Sequence, residues 1–267
     1  MYSVKQSLYL FFTVLSILIG SACESPDTSP KALINVFLVD SPAVWDSVVV
    51  EIEGVELEYI RNNREGQVDR IFIPYELADK EINISQLVAG VSLPVGRREL
   101  DLGVITAATL RLGQQHTLFQ GERGFPLTIQ DGETDFPGDI SLDLDAGISY
   151  DIIVDLDLEK SITQTGSNPL AFDFKPSIRI ISSLGNGSIR GVVGPSSSLP
   201  VIYAIQGTDS ISTHTNATGQ FELKLMPGLY SVYILPKDEQ YRSDTLLDIR
   251  VLEGQTTTLD RITLSRQ

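Results

Sequence analysis

The stretch DSVVVEIEGVELEYI, residues 46 to 60, carries an apolar side chain at every second position for most of its length. Side chains two apart share one face of a β-strand, whereas a helix face repeats at three and four. Val48, Val50 and Ile52 form one apolar row with Glu51 and Glu53 opposite, but beyond Gly54 the parity reverses to Val55, Leu57 and Tyr59. One strand keeps both rows inward only by inserting an extra residue, so a β-bulge is predicted at Gly54.

The same period of two runs through the chain, and no long helical pattern follows residue 31, so the fold class is all-β. ALINVFLVD is an apolar strand ending in the turn signal Asp40-Ser41-Pro42, and RNNREGQ is a polar hairpin tip leading to RIFIPYEL. EINISQLV, GVITAATLRLG and a hairpin HTLFQGERGFPLTI follow, then the loop DGETDFPGD. ISLDLDAGISYDIIVDLDLEKSI reads as two strands joined at Ala146-Gly147, the second with Tyr150, Ile152, Val154, Leu156 and Leu158 on one face. FDFKPSIRIIS reads as one strand, with Pro176 marking an edge or a bulge. SLGNG, residues 183–187, reads as a linker. Beyond it seven strand candidates separated by Gly and Pro turns crowd into residues 188–267, the spacing of an all-β sandwich. Two β-sandwich domains, 32–182 and 188–267, are therefore expected.

The N-terminal end has a different character. Lys5 precedes the apolar run LYLFFTVLSILI, about a dozen residues where a membrane-spanning helix needs roughly 20, so residues 1–22 read as a secretory signal peptide. Gly20, Ser21 and Ala22 stand directly before Cys23, the only cysteine. This stretch resembles the lipobox of bacterial lipoproteins. The resemblance implies cleavage between Ala22 and Cys23 and acylation of the Cys23 thiol and then its amine, although Gly20 stands where leucine is the commonest choice. Two or more acyl chains hold a protein durably on a bilayer, so the membrane is an expected partner through Cys23. The polar residues 23–31, with Pro26 and Pro30, read as an extended tether. Glu24 and Asp27 resemble surface-export signals of Bacteroidetes lipoproteins, which implies an outer-membrane location, periplasmic or cell-surface facing.

Two further resemblances cover the body of the chain. Residues 32–182 are similar to the family called domain of unknown function 4382. The similarity rests on Asp40 to Pro42 after the first strand, Leu87 to Gly90, Arg111-Leu112, and Asp155 and Asp157 followed by Lys175-Pro176. TIQDGETDFPGDISLDL departs from that family's pattern, and the family implies no activity. Residues 188–267 resemble the carboxypeptidase regulatory-like, transthyretin-like sandwich through GSIRGVVG, TNATGQFELKLMPGLYSVYILP and VLEGQTTTLDRITL. That resemblance implies that Phe221, Tyr230, Val232 and Ile234 face the core, and it implies no peptidase activity.

Charge and chemistry narrow the function. With 35 acidic against 20 basic residues the net charge is −15, which repels a phosphate backbone, so no nucleic acid is expected as a partner. The two histidines, His116 and His214, fall in different expected domains, and neither a Gly-x-Ser-x-Gly elbow nor a His-Glu-x-x-His helix occurs, so no enzyme, no catalytic residue and no cofactor is expected. The acid strand Asp151, Asp155, Asp157 and Glu159 is read as a solvated face beside cross-strand Lys or Arg rather than a Ca²⁺ site. The loop Asp131, Glu133, Asp135, Asp139 lacks the EF-hand spacing and is read as a polar loop, so no metal site is assigned. Trp45 with Tyr59 and Tyr75 is either a sugar-stacking platform or, on the favoured reading, an anchor of the first sandwich. The sequence thus describes a lipid-anchored envelope protein with a non-catalytic binding or structural role. A surface glycan-binding or adhesion module and a calcium-stabilised accessory module remain as alternatives, and a glycan or another envelope protein as the open classes of partner.

Overall fold

Period-two patterning produces strands almost throughout the computed structural model, which describes residues 29–41, 45–62, 64 and 66–267. The signal peptide, the Ala22–Cys23 junction and most of the tether lie outside the described residues. The first lobe opens with β1 (Lys31–Ser41), β2 (Ser47–Arg61), β3 (Val68–Pro74), β4 (Glu81–Asn83), β5 (Leu93–Asp101) and β6 (Gly103–Gln120). It continues with β7 (Arg123–Pro126), β8 (Thr128–Ile129), β9 (Asp135–Asp143), β10 (Ser149–Asp157), the helical turn α1 (Leu158–Ser161), β11 (Ile162–Ser167), β12 (Leu170–Phe174) and β13 (Ile178–Ser182). One sheet runs β13-β10-β1-β5; another runs β3-β2-β6-β7, with β4 on β2 and β9 on β6. Their apolar rows meet in a core that includes Ile34, Val36, Leu38, Val55, Leu57, Leu110, Ile152 and Val154. Each such side chain contributes roughly 1.5–3 kcal/mol on burial.

The parity change in β2 is real. Val48, Val50 and Ile52 are buried before Gly54, and Val55, Leu57 and Tyr59 after it. The register against β6 shifts between Val50 and Ile52 and again between Ile52 and Gly54, so the irregularity reaches Gly54 from its N-terminal side. Gly54 has φ +152°, and a Cβ there would stand 2.4 Å from the Ile73 carbonyl oxygen. Only a residue without a side chain lets β3 approach this closely.

The second lobe comprises β14 (Gly187–Gly194), β15 (Val201–Gln206), β16 (Asp209–His214), β17 (Gln220–Leu225), β18 (Gly228–Leu235), β19 (Asp244–Val251), β20 (Thr256–Thr258) and β21 (Ile262–Thr263). Its sheets are β17-β14-β20, with β21 also on β14, and β16-β15-β18-β19. Phe221, Tyr230, Val232 and Ile234 lie in a second core with Ile189, Val193 and Ile202. Both lobes belong to one folded unit, Lys31–Gln267.

Four expectations change. FDFKPSIRIIS is two strands: β12 pairs with β11 and β8, β13 pairs with β10, and Lys175–Ser177 carries the chain from one sheet to the other. Ser161 stabilises that crossing, its carbonyl accepting from the Lys175 N–H at 2.8 Å and its hydroxyl from the Ser177 N–H at 2.9 Å. The expected loop 131–139 becomes strand β9 from Asp135, because β6 is long enough to pair with it along Val104–Arg111. TTTLDRITL divides into β20 and β21, both against β14. The acid row of β10 ends at Asp157, Glu159 sits in α1, and the row is not a solvated face: Asp155 and Asp157 are 4% and 9% exposed. Local alternation does report which side of a strand is apolar. It does not report that another part of the chain covers the polar side.

Candidate functional site in the cleft between the lobes

Alternation in β1 turns Ile34, Val36 and Leu38 into the core and leaves Asn35, Phe37 and Val39 on the outer face. The parallel register sets Phe37 opposite Ile153 and Val39 opposite Asp155. The antiparallel register of β13 sets Ile181 opposite Ile153 and Arg179 opposite Asp155. Two rows result across three strands, one apolar (Phe37, Ile153, Ile181) and one in which Val39 stands beside the charged pair Asp155 and Arg179. Ser212 and Thr213 of β16 and Glu222, Leu223 and Lys224 of β17 stand over these rows, and the segment Leu87 to Ser92 closes one side. The cleft, partly open to solvent, has a volume of about 270 Å³.

Its charges are mostly neutralised in place. Arg179 forms an ion pair with Asp155, and Arg190 with Glu222 at 2.8 Å. The Asp151 carboxylate accepts from the Asn35 side-chain amide at 2.9 Å. At the far end of β1, Asp40 is buried, and among the described residues neither carboxyl oxygen has a hydrogen-bond partner. Burial pushes its pKa well above the usual carboxylate range, and repulsion from Asp155 and Asp157 adds to the rise; the nearby Leu158 N–H opposes it. Asp157 accepts from the Lys160 backbone N–H at 3.0 Å and pairs with the Lys160 ammonium at 2.8 Å.

Polar contacts also cross from one lobe to the other. The Tyr203 hydroxyl donates to Glu159 at 3.0 and 3.2 Å, and the Lys160 ammonium reaches the Ser210 carbonyl at 3.5 Å. Burial, then the Glu159 carboxylate, drives the Tyr203 phenol pKa upward.

The residues singled out by sequence are dispersed. Cys23 and Ala22 lie outside the described residues. His116 packs edge-on to Phe174 at 5.3 Å in the first lobe, its Nδ1 accepting from the Glu51 N–H at 3.3 Å, and burial lowers its pKa. His214 is pushed down to about 3 by burial and then by the charge of Lys237. Neither histidine lines the cleft. In the acidic loop, Asp135 pairs with Arg111 at 3.1 Å, and among the described residues no three acidic, His or Cys side chains converge as metal ligands. Tyr59 and Tyr75 are buried, and Trp45 meets Phe172 edge-on at 5.0 Å beside the same core. These three aromatics therefore serve the first core rather than a sugar platform. Sequence reasoning passed over Arg179 and Lys224. A signal for the cleft was nevertheless available: Asp40, Leu87 to Gly90 and Asp155, named separately along the sequence, meet at it.

Fold and cleft define an all-β protein of two sandwich lobes with a mixed apolar and charged seam. Residues 31–176 match the family model described as Domain of unknown function (DUF4382), and the chain belongs to that family. No curated protein matches the chain. Among solved structures, the TIE protein of Bacillus anthracis is similar at 12% identity and a TM-score of 0.24, covering 100% of this chain, which spans 45% of that protein's length. GBS52, the minor pilin of Streptococcus agalactiae, is similar at 11% identity, TM-score 0.23, over 90% of this chain and 97% of its own. A putative adhesin from Bacteroides ovatus is similar at 10% identity, TM-score 0.25, over 92% and 98%. Likenesses this distant carry no functional argument.

Proposed function

We propose that the protein is a non-catalytic binding or structural module of the cell envelope, held on the outer membrane by acyl chains on Cys23. The observation that carries this reading is the small-residue run Gly20-Ser21-Ala22 before the only cysteine, at the end of an apolar stretch too short to span a bilayer. Strand β1 begins at Lys31, eight residues beyond Cys23. The 11 residues of β1 span about 35 Å and end beside the cleft.

The cleft offers a binding surface that sets the apolar side chains Phe37, Ile153 and Ile181 beside charged groups. Metabolic labelling with an alkyne fatty acid tests the anchor: wild type should take up label and sediment with membranes, and Cys23→Ala should do neither. Label retained by Cys23→Ala would refute it. Protease treatment of intact cells then separates the two faces of the outer membrane, cleavage without lysis marking display at the cell surface.

A further inference from the structure

Apart from Asp40, whose burial favours the neutral carboxyl, the cleft holds two charged groups that its own ion pairs do not use. Asp155 is matched by Arg179, and Glu222 by Arg190. Asp151 is met by a neutral amide, and Lys224 has no ion-pair or hydrogen-bond partner among the described residues. Asp151 and Lys224 line the same cleft, yet no salt bridge joins them. The apolar row Phe37, Ile153 and Ile181 lines the same cleft. We propose that the cleft binds the zwitterion of an amino acid or short peptide with an apolar side chain, its ammonium at Asp151, its carboxylate at Lys224 and its side chain over Phe37, Ile153 and Ile181. This deepens the binding role proposed above and is independent of the lipid anchor.

Three considerations select this class. An anion alone would satisfy Lys224 but face Asp151, and a cation alone would meet the reverse arrangement. An uncharged glycan would desolvate both groups without pairing either, a costly exchange. The volume, about 270 Å³, equals roughly nine waters at about 30 Å³ each, room for one or two residues. The closing segment is also held in an unusual conformation. Ala89 has φ 55° and Gly90 φ 89°, with the Val91 N–H bonded to the Val88 carbonyl at 3.1 Å. A residue with a side chain rarely adopts that φ, and such strain concentrates where backbone lines a ligand site.

Isothermal titration of the full chain with leucyl-leucine tests the proposal, with N-acetyl-leucinamide as the uncharged comparison. One molecule of leucyl-leucine should bind per chain, and the capped compound should bind at least about tenfold more weakly. Lys224→Met and Asp151→Asn should each weaken leucyl-leucine by about tenfold or more, with unchanged Trp45 fluorescence reporting an intact first lobe and unchanged amide exchange in β14 and β17 an intact second lobe. Absence of binding at millimolar leucyl-leucine would overturn the proposal, as would equal binding of the capped compound to wild type. Full affinity in both variants would overturn it too. Cys23→Ala should bind like wild type, so failure of the anchor and failure of the cleft are read separately.

Discussion

Replacing Gly54 by alanine tests the link from the sequence parity change to the packing of the first lobe. A Cβ at that position would meet the Ile73 carbonyl oxygen at 2.4 Å, Phe72 Cζ at 2.8 Å and Pro74 Cα at 2.9 Å. The Phe72 ring can swing aside. The two backbone atoms belong to β3, paired with β2 at Gly54↔Pro74 and Val55↔Ile73, and they cannot move without opening that ladder. The φ of +152° adds backbone strain of about 1–3 kcal/mol for a residue with a side chain. Overpacking costs a further 1–3 kcal/mol or so, giving about 2–6 kcal/mol in all. Gly121, in the hairpin between β6 and β7, is the internal control. It has φ +57° and nothing within 4 Å of the added methyl, so Gly121→Ala should cost only about 1–2 kcal/mol of left-handed strain. Part of that is offset by the stiffer unfolded chain. The single tryptophan, Trp45, packs edge-on against Phe172 beside the first core, so its fluorescence in a urea titration follows this lobe. Gly54→Ala should lower the midpoint far more than Gly121→Ala. Equal midpoints for the two variants would refute the close-approach argument.

Two predictions concern buried titratable groups. Asp40 has a folded pKa raised above its unfolded value, so its contribution is fully present below about pH 4 and is lost as pH rises through the folded pKa. Asp40→Asn should therefore gain stability relative to wild type as pH rises from 5 to 8, read by urea midpoints on Trp45; parallel curves would contradict the buried carboxyl. His214, lowered to about 3, behaves oppositely: its contribution is present above pH 6.5 and is lost as pH falls from 6.5 toward 3. His214→Phe should flatten that acid loss in the second lobe, measured by amide exchange in β15 and β16, and an unchanged acid limb would count against it.

Much of the fold was legible residue by residue. Gly54 announced its bulge because reversing parity has few solutions in a strand, and Phe221, Tyr230, Val232 and Ile234 sit in a core, as the resemblance to the carboxypeptidase regulatory-like sandwich implied. The failures share a cause. At Pro176 the run of strand-forming residues continued on both sides, so only the pairing partners, β11 and β8 against β10, revealed two strands. The acid row of β10 looked solvated because its neighbour, the second lobe, lies more than 50 residues further along.

Local chemistry determined the all-β class and the inward face of most strands, because period and turn residues are properties of neighbouring residues. Tertiary structure alone decided that β1 pairs in parallel with β10, setting Asn35 beside Asp151 across 116 positions. It also decided that β16 and β17 roof that outer face and leave Asp151 and Lys224 in one cleft. Burial has no sign in a single strand: alternation separates apolar from polar, and only the arrangement of distant strands decides whether the polar side meets water or another part of the chain.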